Sequence, residues 1–171
     1  MTTLPSRRIA GARGAAPRGD RLRIAFSPCP NDTFMFHALA TGRVQIPGVA
    51  PAVQLHDVET LNRLALAGAY EVTKVSAAAY LRIRDTYALL GAGAAMGYGC
   101  GPLVVARAPR GAIAPEQCRF AVPGELTTGH LLLRLWCPRL GARVFVRYDR
   151  VLPLVASGAV ACTVVPRSSR A

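Results

Sequence analysis

The unit that decides the fold has the sequence RLRIAFSPCPNDTFMFHALATG, over residues 21–42. The short segment RLRIAF at 21–26 predicts a strand. Residues 31–33, Asn-Asp-Thr, can cap a helix over 34–40 that ends at Gly42. The loop between them contains two prolines, which restrict its backbone. A strand that passes directly into a helix predicts α/β layers, in which ligands bind beyond the carboxyl ends of the strands.

The same alternation continues along the chain and predicts a mostly parallel α/β fold. The predicted strands cover residues 21–26, 51–56, 71–75, 87–90, 103–107, 119–122, 143–147 and 160–165, and the predicted helices cover 34–40, 58–67, 76–84, 127–136 and 150–156. Two prolines and a glycine at 108–115 predict a connector between a first lobe, 21–107, and a second, 116–171. Residues 1–20 are rich in Arg, Ala and Gly and predict a disordered tail.

The charge and composition argue against nucleic-acid and membrane partners. The chain has 21 Lys and Arg against 9 Asp and Glu, a net charge of +12, but Lys74 is its only lysine. Arginine without lysine favours a coding bias, and no aromatic residues alternate with a basic run to stack on bases. The longest uncharged run, 86–106, contains five glycines and a proline, so it is a poor candidate for a membrane helix.

The cysteines and histidines predict neither a disulfide framework nor a metal site. The five cysteines are widely spaced without a C-x-x-C pair, and the three histidines lie far apart in sequence. We therefore expect reduced, buried thiols in a cytoplasmic protein. The sequence makes no prediction of oligomeric state.

Three junctions between a strand and a helix could bind an anion. They are the Pro-Cys-Pro loop and the residues that follow it (27–33), the stretch Lys74-Val75-Ser76, and the stretch 123–129 with Thr127 and Thr128. A cation, hydroxyl groups and helix N-termini suit a carboxylate or a phosphate. Each Ser or Thr taken alone is better explained as a simple helix cap. Their distribution over both predicted lobes favours an anion-binding cleft between the lobes.

The loop Ser27-Pro-Cys-Pro-Asn-Asp-Thr-Phe34 resembles the N-terminal motif of the 1,4-dihydroxy-6-naphthoate synthase family of menaquinone biosynthesis, in the futalosine pathway. The resemblance extends over about residues 21–170. It includes the stretches 57–62 (DVETLN), 73–80 (TKVSAAAY), 99–106 (GCGPLVVA), 127–128 (TT) and 146–150 (VRYDR).

This resemblance implies a two-lobed fold like that of type II periplasmic binding proteins, in a cytoplasmic enzyme. The implied reaction is a carbon–carbon lyase step that converts cyclic dehypoxanthinylfutalosine, a small-molecule carboxylate, to 1,4-dihydroxy-6-naphthoate without a metal or organic cofactor. The implied substrate-binding residues are Lys74, Val75, Ser76, Thr127 and Thr128. The implied cleft-lining residues are Ser27, Pro28, Cys29, Pro30, Asn31, Asp32 and Thr33.

Two departures from the family pattern bear on catalysis. Arg167 occupies the position of the family's proton-accepting histidine, and an arginine stays protonated near neutral pH. The chain ends at Ala171, where the family continues, so the resemblance implies a C-terminally truncated member with an incomplete second lobe. One alternative function is a non-catalytic small-anion binding module of the solute-binding-protein type. Another is chorismate dehydratase, which shares the fold and the pathway but not the Pro-Cys-Pro loop.

The composition of residues 1–20 generates a first prediction. Because this segment is polar and lacks an apolar face, its deletion should leave the solubility and ligand affinity of the chain unchanged. Sedimentation and calorimetric titration of the full and shortened chains measure both properties. A large loss of either property would contradict the prediction.

Overall fold

The computed structural model describes residues 21–94, 98–99, 101–109 and 112–166. Its strands are β1 (Arg21–Phe26), β2 (Ala50–Leu55), β3 (Val72–Thr73), β4 (Leu103–Ala106), β5 (Phe120–Val122), β6 (Arg143–Phe145) and β7 (Cys162–Val165). Its α-helices are α1 (Pro30–Ala40), α2 (Val58–Leu66), α3 (Ala77–Ile83), α4 (Thr128–Trp136) and α5 (Tyr148–Ala156), and a short 3-10 helix spans Pro115–Gln117.

The first sheet has the strand order β2-β1-β3, and both neighbours run parallel to β1. The three apolar residues at the end of β1, Ile24, Ala25 and Phe26, are buried. Helix α2 covers this sheet through Leu61 and Ala65, which lie on one face four residues apart. Because the strands are parallel, the residues that follow β1 and β3 meet at one edge of the sheet.

The second sheet has the order β4-β7-β5-β6, with only β4 antiparallel to its neighbour. One face packs against α4, where Leu133 joins a cluster with Phe120 and Val122. The other face packs against α5, where Val151 and Val155 are buried. The loop that follows β5 therefore begins at the carboxyl edge of this sheet and leads directly into α4.

The predicted α/β fold class is confirmed, and most elements lie within two residues of their predicted positions. The predicted strand at 87–90 is wrong: Tyr87 continues from the end of α3, where its amide donates to the Ile83 carbonyl at 2.8 Å. Leu89 and Leu90 are exposed, and none of the strands described by the structure pairs with them. The predicted strand at 71–75 is reduced to the two residues of β3.

Two further differences concern the ends of elements and the membership of a sheet. Helix α1 begins at Pro30 instead of residue 34, because a proline needs no amide partner in the first turn of a helix. Strand β4 pairs with β7, so it belongs to the second sheet, although the sequence predicts it at the end of the first lobe. The lobe boundaries themselves stay a prediction.

The described cysteines are free thiols. Cys137 and Cys162 are buried, and Cys29 and Cys118 are partly buried, as expected from their sequence context, while Cys100 lies outside the described residues. Burial, together with the nearby Cys118, raises the pKa of the Cys162 thiol. This thiol is therefore protonated and unreactive at neutral pH. Within the described ranges, no helix combines the length and apolar character needed to cross a membrane.

An ion pair joins β1 to the residue that precedes β3. The Arg23 guanidinium donates to both carboxylate oxygens of Glu71, and the Arg23 amide donates to Oε2 at 2.8 Å. The guanidinium hydrogen bonds outweigh partial burial and lower the pKa of Glu71 from 4.5 to about 2. The ion pair therefore stabilises the chain above pH 4.5, and this contribution is lost as the pH falls from 4.5 toward 2.

We predict that Glu71→Gln removes this part of the pH dependence. The difference in unfolding free energy between the original chain and the variant should be largest above pH 4.5 and should shrink toward pH 2. Urea denaturation at several pH values measures it. Asp85→Asn, which changes an exposed carboxylate, is the control and should give no such trend. A difference that stays constant with pH would contradict the prediction.

Candidate functional site

The Pro-Cys-Pro loop is folded around a buried carboxylate. Ser27 follows β1 directly, and Asp32 lies in the first turn of α1. The Ser27 amide donates to Asp32 Oδ2 at 3.1 Å, and the Ser27 hydroxyl donates to the same oxygen at 2.7 Å. Both residues are almost completely buried. Residues 31–33 therefore do not cap α1: the Asp32 side chain bonds to Ser27 instead. Cys29 takes the N-cap position without a side-chain hydrogen bond.

Lys74 connects this loop to the end of β3. Its ammonium lies 3.4 Å from Asp32 Oδ1, and its amide donates to the Ala25 carbonyl at 2.8 Å. About a quarter of the lysine side chain is exposed. Because an ammonium has three N–H donors, the contact with Asp32 leaves donors for a ligand.

Ser76 is held by a residue for which the sequence predicts no role in the site. Asn62, on α2, is fully buried, and its amide makes two reciprocal bonds. Its Nδ2 donates to Ser76 Oγ at 3.1 Å, and its Oδ1 accepts from the Ser76 amide at 2.9 Å. Val75, between Lys74 and Ser76, is half-buried. The sequence feature that could have indicated the role of Asn62 is its polar side chain next to the apolar positions Leu61 and Ala65.

The two threonines of the third junction have different roles. The Thr127 hydroxyl caps α4, since it accepts from the His130 amide at 3.3 Å and donates to the Gly124 carbonyl at 2.9 Å. The Thr128 hydroxyl accepts from the Ala78 amide, in the first turn of α3, at 3.2 Å. Its own proton stays available for a ligand. The cap interpretation thus applies to Thr127, and a role for it toward a substrate stays a prediction.

These contacts connect the three junctions into one continuous region. The Asp32–Lys74 pair joins the first junction to the second, and the Ala78–Thr128 bond joins the second to the third. The other loop residues lie farther out: Pro28, Pro30, Asn31 and Thr33 are exposed and Cys29 is half-buried. Pro30 and Thr33 border an open depression of about 420 Å³ along α1, together with Phe34 and His37.

Helix α2 also contacts the loop of the second sheet. Glu59 Oε2 accepts from the Leu126 amide at 3.0 Å, and Arg63 lies 2.9 Å from Glu59 Oε1. Gly124 lies so close to this side chain that a Cβ there would be 2.3 Å from Glu59 Oε2 and 2.7 Å from its Cβ. The sequence does not predict this contact between Glu59 and Gly124, because residues 65 positions apart leave no local signal of their contact.

His130 is a buried histidine on the first turn of α4. Its Nδ1 lies 2.8 Å from the Glu125 carbonyl, and its ring meets the Phe145 ring edge-on at 5.2 Å between centroids. Since a carbonyl only accepts, Nδ1 carries the hydrogen of this contact. Nε2 is buried without a hydrogen-bond partner among the described residues.

The arrangement suits the binding of an anion through hydrogen-bond donors. Lys74, the cation within the three described junctions, is balanced by Asp32, so attraction there depends on N–H and O–H groups and on the N-terminus of α4 more than on net charge. Asp57 lies directly before α2. Burial alone raises the pKa of its carboxyl, but hydrogen bonds from Thr60 and Glu59 outweigh this effect and lower the pKa. In the described ranges, no group of three or more His, Cys, Asp or Glu side chains could hold a metal ion.

Comparison with known proteins gives consistent results for sequence and fold. The sequence model of a family described as menaquinone biosynthesis matches residues 22–165. A 1,4-dihydroxy-6-naphthoate synthase from Thermus thermophilus is 52% identical over 151 residues, which are 88% of this chain and 54% of that protein. The chain therefore spans about half the length of this curated relative.

Two solved structures show the same fold. A protein from Archaeoglobus fulgidus matches with a TM-score of 0.80 and 37% identity, over 87% of this chain and 55% of that one. A mutant of ArgBP from T. maritima matches with a TM-score of 0.59 and 13% identity, over 88% of this chain and 69% of that one. The second match confirms the predicted likeness to the fold of periplasmic binding proteins.

The close approach at Gly124 generates a prediction. Gly124→Ala should destabilise the chain by about 1–3 kcal/mol, as other overpacking substitutions do. Rotation of the Glu59 side chain cannot relieve the clash, because its Cβ is itself 2.7 Å from the added methyl group. Gly91→Ala is the matched control, since nothing lies within 4 Å of its added Cβ. Equal unfolding midpoints in urea for the two variants would contradict the prediction.

Proposed function

The chain belongs to the menaquinone-biosynthesis family, and on this premise we propose that its site binds cyclic dehypoxanthinylfutalosine, the substrate of a 1,4-dihydroxy-6-naphthoate synthase. The reaction is a carbon–carbon lyase step that forms 1,4-dihydroxy-6-naphthoate in the cytoplasm. The resemblance implies neither a metal nor an organic cofactor for it.

The observation that carries this proposal is the continuity of the three junctions. Lys74 directly follows β3 of the first sheet, Thr128 begins α4 after β5 of the second sheet, and the Ala78–Thr128 bond brings the two segments together. We assign the Lys74 ammonium to the substrate carboxylate. The Ser76 and Thr128 hydroxyls and the backbone at Thr127 supply further donors, and Val75 supplies an apolar contact beside them.

The catalytic part of the proposal depends on Arg167, which lies outside the described residues. In this family a histidine accepts a proton at the corresponding position, and an arginine cannot do so near neutral pH. The loss of a general base costs about 10²–10⁴ in rate. We therefore propose that this chain binds the substrate but turns it over slowly. The same substitution favours the second candidate function, a small-anion binding module without catalysis.

We predict that Thr128→Val and Lys74→Gln each weaken substrate binding about tenfold, as expected for one lost hydrogen bond or ion contact. Isothermal titration with cyclic dehypoxanthinylfutalosine measures the affinity. Thr86→Val, which changes an exposed threonine beyond the end of α3, is the matched control. Because Lys74→Gln leaves Asp32 buried without its cation, the double variant Asp32→Asn, Lys74→Gln keeps the pair neutral.

Affinities that match the original chain in all three variants would contradict the binding site. Naphthoate formation, followed by liquid chromatography beside a full-length relative, tests the catalytic part. We expect a rate at least about 10² lower than that of the relative. A comparable rate would refute the assignment of Arg167 as a disabling substitution. Binding without any turnover would favour the anion-binding module.

A further inference from the structure

One face of helix α2 contacts both halves of the site. Glu59, Asn62 and Arg63 are spaced three and four residues apart, so they project from the same side of the helix. Asn62 holds Ser76, which follows the first sheet. Glu59 holds the amide of Leu126, in the loop that follows β5 of the second sheet.

The contact between Glu59 and Leu126 is well protected. The Glu59 side chain is only 15% exposed, and Arg63 lies against its second oxygen at 2.9 Å. A hydrogen bond from an amide to a carboxylate is stronger than one between neutral groups, and partial burial strengthens it further. Glu59 Oε2 therefore accepts the Leu126 amide, while Oε1 is buried without a hydrogen-bond partner among the described residues and faces Arg63 as an ion pair.

The absence of a side chain at Gly124 makes this contact possible. A Cβ at this position would overlap Glu59 Oε2, Cβ and Cδ, so the loop backbone lies directly against the glutamate. Two residues after Leu126, Thr128 contacts Ala78. The segment from Gly124 to Thr128 is therefore attached to the first half of the molecule at both of its ends.

We propose that Glu59 is a positioning residue: it holds Thr127 and Thr128 at a fixed distance from Lys74 and Ser76. Glu59 acts through the Leu126 amide and does not itself contact a ligand. The relevance of this position to the substrate rests on the proposed function, whereas the attachment itself is a property of the chain that can be measured without a ligand.

Hydrogen exchange of the Leu126 amide tests the attachment. Glu59→Ala removes the acceptor, and Glu59→Asp keeps the charge but shortens the side chain, so both should speed exchange at Leu126 by about tenfold or more. Glu59→Gln keeps an acceptor oxygen and should largely restore protection. Glu125→Ala is the matched control, because this neighbouring, exposed carboxylate has only a 3.5 Å contact with Arg63.

The position of the effect separates a positioning role from a general structural one. Amides of β1, such as those of Ile24 and Phe26, should keep their exchange rates in every folded variant. If Glu59→Ala does not fold, Glu59→Asp decides the question. Unchanged exchange at Leu126 in the folded variant, or an equal increase in β1, would overturn the proposal.

Affinity for cyclic dehypoxanthinylfutalosine gives the second measurement. We expect it to fall about tenfold in Glu59→Ala and to recover in Glu59→Gln. Binding that is independent of Glu59 would overturn the positioning role even if exchange at Leu126 increases. If the original chain does not bind this compound, the proposed function fails. The exchange rates then still decide whether Glu59 holds the loop.

Discussion

The carboxylate of Asp32 is almost completely buried and accepts three polar contacts, from the Ser27 amide, the Ser27 hydroxyl and the Lys74 ammonium. A buried charge is costly unless such contacts replace its hydration. The donors come from the ends of two adjacent parallel strands, β1 and β3. The carboxylate therefore fixes the loop after β1 and the cation after β3 in one arrangement, from which the rest of the site is built.

The second half of the molecule contacts the region around Asp32 through hydrogen bonds of backbone amides more than through pairs of opposite charges. Glu59 accepts the Leu126 amide, and Thr128 accepts the Ala78 amide. Both bonds involve residues near the start of a helix, where amides lack partners within the helix itself. Unpaired amides at the start of a helix can bind an anion, and here they also form the bonds between the two halves of the molecule. Ligand binding and the contact between the halves therefore use neighbouring donors.

The alternation of apolar and polar residues was sufficient to predict the fold class and most of the elements. The predicted junctions are also where the structure places its polar contacts, because a strand that ends before a helix leaves unpaired groups in any α/β layer. Asn62 and Glu59 were missed, since each acts on a residue far along the chain and nothing in the local sequence records the partner. The error at 87–90 has the opposite cause: its residues favour a strand, but no strand in the described part of the chain pairs with them.

Lys74 is the only lysine of the chain, and about a quarter of its side chain is exposed beside the buried Asp32. Lys74 can therefore be labelled selectively by a reagent for amines. Reductive methylation with ¹³C-formaldehyde would modify only this ammonium and the α-amine, and the methylated amine keeps its positive charge. One resonance in a carbon spectrum would then come from the centre of the site. Its chemical shift would respond to changes around the ammonium, such as a change in its pairing with Asp32, without a crystal, a mutation or a bulky dye.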